Sequence, residues 1–240
     1  MTKHTIYALS LFSLLIVWQL YAFYVGNAIL FPGPLKVGKT VFDLLSQLST
    51  YKVIGFSILR LLISISIALI SGISLGFLGG LSEKIHLFLT PFVSGLRSLP
   101  VASLIAVILV LYANEVAIFV IGFLVLFPII YEATKEGVKN IDPQLKAALK
   151  LEPNSIILTF FAFHFPLAFP YIKTGLLQSI GLGFKVLVMA EFIAQTQNSI
   201  GRSLNIGRIN FQYDVVFAWT IIIIIIVYVF ELAVSKLQSL

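Results

Sequence analysis

Three ionisable side chains, Arg60, Lys185 and Glu191, stand inside long runs of apolar residues. On insertion scales a charge at the centre of a membrane helix costs on the order of 2.5–3.5 kcal/mol, so each should face an interior and have a partner. Lys185 and Glu191 are six residues apart, on poorly aligned sides of one helix, which argues against a direct pair. Two roles are open. Lys185 can line a path and attract an anionic or polar solute, with Arg60, Pro100 and Glu191 as further candidates for that path. Alternatively the charges brace helices or lie near an interface. Arg97, just before Pro100, reads as interfacial, its long side chain snorkelling to headgroups.

Catalytic constellations are sparse. His4, His86 and His164 are too scattered for a metal site, and the absence of Cys removes thiolate ligands and disulfides. No paired carboxylates sit at one-turn spacing inside the apolar segments, and Gly33–Thr40, which spells Gly-x4-Gly-Lys-Thr, follows an apolar span and an external turn instead of a strand, so it is not read as a phosphate loop. An intramembrane enzyme therefore has little support, and any ATP must be handled by another subunit. The expectation is a chain without catalytic residues, metal or directly bound cofactor.

One polar stretch breaks the apolar pattern. Tyr131–Ser155 carries Lys135, Lys139, Lys146 and Lys150 together with Glu132, Glu136, Asp142 and Glu152. Within it, Asp142-Pro143 is a strong helix start, a side-chain cap followed by the position where Pro costs nothing. Pro153 should stop that helix. Leu145, Ala148 and Leu149 recur at helical spacing as a small apolar face, while Lys146 and Lys150 lie four apart on another. A helix of roughly nine residues is too short to stand alone in water, so it must dock on something.

The elements that position these residues follow from composition. Of 240 residues, 59% are hydrophobic and only 11% charged, with mean hydropathy +1.05. Soluble domains carry about a quarter charged residues, so the excess apolar surface here has to face lipid. Six hydrophobic segments stand out, at about 6–26, 53–80, 88–112, 115–131, 167–195 and 215–235. Lipid admits only helices at such lengths, giving an all-α polytopic fold of about six spans, one transmembrane domain over residues 1–240. The segments at 88–112 and 167–195 contain Pro and charge, so part of each should line a cavity or lie at an interface. The first segment resembles a signal peptide but is long enough to span, and is read as uncleaved. Leu30-Phe-Pro-Gly-Pro34 should form a rigid external turn. Gly72, Gly76, Gly79 and Gly80 should let helices pack closely, and Ile221–Ile226 should face lipid.

The net charge of +6 fits membrane topology better than nucleic acid, because the basic residues are dispersed between spans. With the N-terminus cytoplasmic, inner loops hold Lys3, Lys84, Lys135, Lys139, Lys146, Lys150 and Lys236. Outer loops hold Lys36, Lys39, Lys52, Arg202 and Arg208. The lysines of the loop at about 132–156 decide this orientation; on charge alone the inverse stays open.

Several short motifs, in order, resemble the permease of nitrate/sulfonate/taurine-type ABC importers, within the type I binding-protein-dependent permeases. They are Leu30-Phe-Pro-Gly-Pro34, Ser57-Ile-Leu-Arg60, Leu96-Arg-Ser-Leu-Pro100, Pro166-Leu-Ala-Phe-Pro170, Lys173-Thr-Gly175 and Phe184-Lys-Val-Leu-Val-Met-Ala-Glu191. The resemblance covers nearly the whole chain. It implies a cytoplasmic signature loop with Glu-Ala-Ala, a glycine four positions on, then an apolar residue and Leu-Pro. Anchored on Phe165-Pro166, the signature places Ala147, Ala148 and Leu149 on its first three positions and Pro153 on the glycine. Asn154 and Ser155 then fall where the family often has Ala-Ser, and Ala148 is the strict match within the core. Glu132-Ala133-Thr134 lies too far from Phe165-Pro166 for that register. Pro153 cannot adopt the glycine's left-handed turn, a position that Asn154 can take instead.

By this resemblance, Asp142–Leu151 is a coupling helix that docks in a groove of a cytoplasmic ATPase. Two such ATPase subunits, holding ATP and Mg, a second copy of the permease and an external solute-binding protein would complete the importer in the cell membrane. The rival is a secondary transporter or channel acting without an ATPase. It would need its own ion-coupling carboxylate, for which Glu191 is the one clear candidate.

Overall fold

The computed structural model describes residues 3–112, 114–142, 144 and 160–236. It is built from helices: α1 (Lys3–Val25), α2 (Pro34–Leu45), α3 (Leu48–Leu81), α4 (Glu83–Ser98), α5 (Val101–Leu111) and α6 (Asn114–Lys139). A π-helical turn (Phe160–His164) then leads into α7 (Phe165–Ala194), α8 (Ile200–Ile209) and α9 (Tyr213–Lys236). Among the described residues, five helical segments are long and apolar enough to cross a membrane, or six if the bent pair α4 and α5 counts as one span. The chain divides into two compact units, Met1–Ser57 with Glu191–Ile226, and Ile58–Ala190 with Val227–Leu240.

In the first unit α1 presents apolar residues on all sides and is unburied along its whole candidate span, as expected of a helix solvated by lipid. Aromatic contacts hold it. Trp18 stacks on Phe217 at 5.7 Å, and its indole N–H donates to the Pro32 carbonyl at 3.1 Å. Phe31 meets Tyr21 and Phe217 edge-on, at 4.9 and 5.4 Å. Leu30–Pro34 is more than a turn, because Pro34 begins α2. Proline suits a first helical turn, where its missing N–H costs nothing. α2 is amphipathic and buries Val37. A second short helix, α8, starts at Ser199, whose hydroxyl accepts from the Arg202 amide at 3.1 Å. Gln195 and Asn198 take left-handed φ values of 54° and 48° in the turn before it.

In the second unit the glycines of α3 allow close approach to α6. A Cβ on Gly72 would lie 2.8 Å from Ile130 Cγ2, one on Gly76 2.7 Å from the Tyr131 carbonyl, and one on Gly80 2.6 Å from Val138 Cβ. This packing corrects the boundary expected at residue 131. The helix continues to Lys139, and Tyr131, Thr134, Lys135 and Val138 are buried. Two acids share the burden of burying Lys135: its ammonium lies 2.5 Å from Glu132 and 3.3 Å from Glu136. The connecting loop therefore begins after Lys139 rather than near residue 132.

The segment expected as one span at 88–112 is broken. α4 and α5 meet at 101°. Leu99 is extended (φ −67°, ψ 130°) and Pro100 caps α5, since the residue before a proline is driven out of the α region. Both α4 and α5 pack on α6. Beyond the π turn, Ala168 and Ile172 of α7 join Phe77 and Val138 in a buried cluster. In the isoleucine run of α9, Ile222 is buried while Ile224 and Ile225 are exposed, so lipid receives part of the run and the protein the rest.

Candidate functional site

The expected coupling helix is described only at its start. The Asp142 carboxylate accepts from the Gln144 amide at 2.7 Å, and Gln144 is helical. That is the bond by which an N-capping side chain satisfies an orphan donor of the first turn. Pro143, Leu145, Lys146, Ala147, Ala148, Leu149, Pro153 and Ser155 lie outside the described residues. α6 ends at Lys139 with Asn140 and Ile141 as its only link to that cap, and the Lys139 ammonium is 3.5 Å from Glu83 at the head of α4.

The intramembrane charges separate into two kinds. Arg60 is buried, and its guanidinium forms a two-point pair with Glu115: Nε donates to Oε2 at 3.1 Å and Nη2 to Oε1 at 2.9 Å. The fork geometry ties mid-α3 to the first turn of α6. Glu191 is fully buried in the first unit. The Ser57 hydroxyl lies 2.8 and 2.9 Å from its two oxygens and donates to the carboxylate. The Gly201 amide donates to it at 3.2 Å, and the Ile200 amide donates to Ser57 Oγ at 3.1 Å. A buried carboxylate thus faces the amino end of α8, where unpaired N–H groups and the helix dipole favour negative charge.

Lys185 and Arg97 are the opposite case. Both side chains are exposed, and neither makes an ion pair or hydrogen bond with a described residue. Arg97 lines two adjoining cavities of about 420 and 490 Å³ in the second unit, with Ile129 and Gln178 common to both. The first also meets Glu132, Glu136, Tyr171 and Thr174; the second meets Leu99, Val125 and Leu182. Pro100 is what places Arg97 there, by ending α4 directly behind it. Gln178 and Glu231 escaped the sequence reading; Glu231 shares a third cavity with Gln178, and its Oε1 would be 3.2 Å from a Cβ on Gly181. A polar residue in each apolar run was the available signal.

Apolar helices of crossing length, a broken span, and an arginine beside two cavities with no partner among the described residues define a multi-pass helical membrane protein. The chain belongs to the family of binding-protein-dependent transport system inner membrane components, whose model matches residues 68–239. It is a transmembrane permease component of an ABC importer. It is 30% identical over 197 residues to the nitrate import permease protein NrtB of Synechocystis sp., covering 78% of this chain and 70% of that protein. It is 28% identical over 184 residues to the taurine transport system permease protein TauC of Escherichia coli, covering 76% and 66%. A crystal structure of an amino acid ABC transporter with histidines superposes with a TM-score of 0.61 at 19% identity, covering 79% of this chain and 92% of that one. That similarity speaks for the fold alone.

Proposed function

We propose that the chain moves a small anionic or zwitterionic solute, delivered by an external binding protein, across the cytoplasmic membrane. Two copies pair with each other and with two cytoplasmic ATPase subunits, which hold ATP and Mg; the permease binds no cofactor itself. The amino terminus lies in the cytoplasm, as does the loop after α6. Residues 142–151, with Ala148 at the centre of the docking face and Leu145, Ala147 and Leu149 around it, receive the motion of the ATPase. Lys146, Pro143, Pro153 and Ser155 frame that helix. The rigid spans convert the push into alternating access.

The observation that carries this reading is the family match over residues 68–239, which includes the loop that Asp142 caps. The solute class is supported by relatives named for nitrate and taurine and by Arg97 and Lys185, two cations of the apolar segments without a partner among the described residues. Of the candidate path residues, Lys185 and Pro100 belong to the path, while Arg60 and Glu191 hold its walls.

Purification of the tagged chain from its native membrane tests the assembly. An ATPase subunit should copurify, and its hydrolysis should rise with the loaded binding protein. Uptake by this chain alone, without nucleotide, would sink the proposal. Ala148→Asp should leave the protein in the membrane and lower ATP-driven uptake by about tenfold or more, since an unpaired carboxylate is forced into an apolar contact. Normal uptake by that variant would show that the docking face lies elsewhere.

A further inference from the structure

Resting on the reading of the chain as a permease for a charged solute, we infer that Arg97 and Gln178 form a mid-membrane station that holds the solute's anionic head group. Depth comes from the helices themselves. Gln178 stands midway along the Ala162–Ala194 span, and Val125 and Ile129 straddle the middle of the Glu115–Lys139 span. Arg97 shares a cavity with all three. A guanidinium at this depth, with no carboxylate paired to it among the described residues, is costly unless water or an anion reaches it. The bend at Leu99-Pro100 supplies the opening, because α4 stops there and α5 leaves at 101°.

The facing wall is polar at helical spacing. Tyr171, Thr174, Gln178, Leu182 and Lys185 all lie on exposed positions of α7. Seven residues separate Gln178 from Lys185, which returns the helix to within about 20° of the same face and about 10.5 Å further along. Lys185 therefore continues the line of Gln178 toward the amino-terminal end of α6. The neutral amide of Gln178 has no hydrogen-bond partner among the described residues, so its two donors and its acceptor are available to a bound group.

The acids around this station bound it without cancelling it. Glu132 and Glu136 line the inner end of the smaller cavity but are engaged by Lys135. Glu231 lines a different cavity, reached from Gln178 and not from Arg97. Arg97 is thus the unpaired cation of both cavities among the described residues. Its planar fork of donors matches the oxygens of a nitrate, carboxylate, bicarbonate or sulfonate group in two-point fashion.

The natural chain has no cysteine, so single substitutions report cleanly. Gln178→Cys and, at a second cavity position, Thr174→Cys are placed in the otherwise unaltered full chain in membrane vesicles of both orientations. Rates of modification by an anionic and a cationic methanethiosulfonate are then compared. The anionic reagent should be favoured at one or both positions, and adding Arg97→Gln should reduce that preference by about tenfold, the effect of losing one nearby charge in a medium of intermediate dielectric. Arg97→Lys should retain part of it. A merely structural role for Arg97 would alter both reagent rates together and leave their ratio unchanged. Inaccessible cysteines at both positions, or a ratio indifferent to Arg97→Gln, would overturn the station. Copurification of the ATPase and nucleotide-driven uptake are scored separately on the unmodified chain, so failure of the importer reading is seen independently.

Discussion

Glu191 and Arg97 are both charges carried on membrane helices, yet their surroundings are opposite. Glu191 is sealed from solvent, with the Ser57 hydroxyl and the amino end of α8 arranged around its carboxylate. Arg97 is exposed to cavities and has no partner among the described residues. In a low-dielectric setting an unsatisfied charge is expensive and a satisfied one fixes geometry. The first arrangement is complete within its own unit and holds a turn and a short helix in place. The second is incomplete in the single chain, which is the condition a transient ligand requires. Charge in a span is therefore a poor guide to transport until its partners are known.

The comparison breaks most visibly at Glu191. Glu191→Leu would strand the Ser57 hydroxyl and the Gly201 amide, and each buried unsatisfied group costs about 1–3 kcal/mol. The variant should unfold at a clearly lower temperature in detergent and accumulate less in the membrane. Glu191→Gln keeps an acceptor and should fall between the two. If Glu191→Leu were as stable as the parent but defective in uptake, Glu191 would belong with Arg97 as a path residue.

Arg60 gives a smaller effect of the same kind. Arg60→Gln removes a two-point pair, but Glu115, whose side chain is 55% exposed, can rehydrate. A loss of about 1–2 kcal/mol is expected, near the lower range for hydrogen bonds to charged groups. Adding Glu115→Gln should then cost little more, a non-additivity that a double-mutant cycle reads directly. Full additivity of the two changes would mean that the pair does not join α3 to α6.

How much of this was legible in the sequence depended on distance along the chain. The apolar runs announced the spans because lipid leaves the backbone few options, and the glycines of α3 announced a close helix contact. The capped start at Asp142 was also readable, since its partner is two residues away. The short helices α2 and α8 were passed over, although Gly33-Pro34 and Ser199 are helix-start signals; a long hydrophobic window averages such pieces away. The continuation of α6 to Lys139 was hidden because Lys135 and its two acids look like loop composition, while their burial depends on glycines of another helix. Glu191 finds Ser57 across 134 positions, and Arg97 comes to line the same cavities as Gln178 only once a proline has ended α4. Neither arrangement has a local signature.

Lys185 should show the smallest change in stability and so gives the finest test. It is exposed and unpaired in the single chain, so Lys185→Gln breaks no bond that holds the fold. Stability should change by no more than about 0.5 kcal/mol, as for substitutions away from structural features. Uptake is a separate matter. A cation about 10.5 Å along α7 from the Gln178 level attracts an anion without gripping it, and that long-range attraction weakens with salt. Lys185→Gln should therefore lower ATP-driven uptake severalfold at low ionic strength and less at high, with the maximal rate at saturating solute nearly kept. Lys185→Arg should behave like the parent. If instead Lys185→Gln lowered the unfolding temperature by as much as Arg60→Gln, Lys185 would have a structural partner in the assembled complex. It would then belong on the braced side of the comparison with Glu191, leaving Arg97 alone to meet the solute.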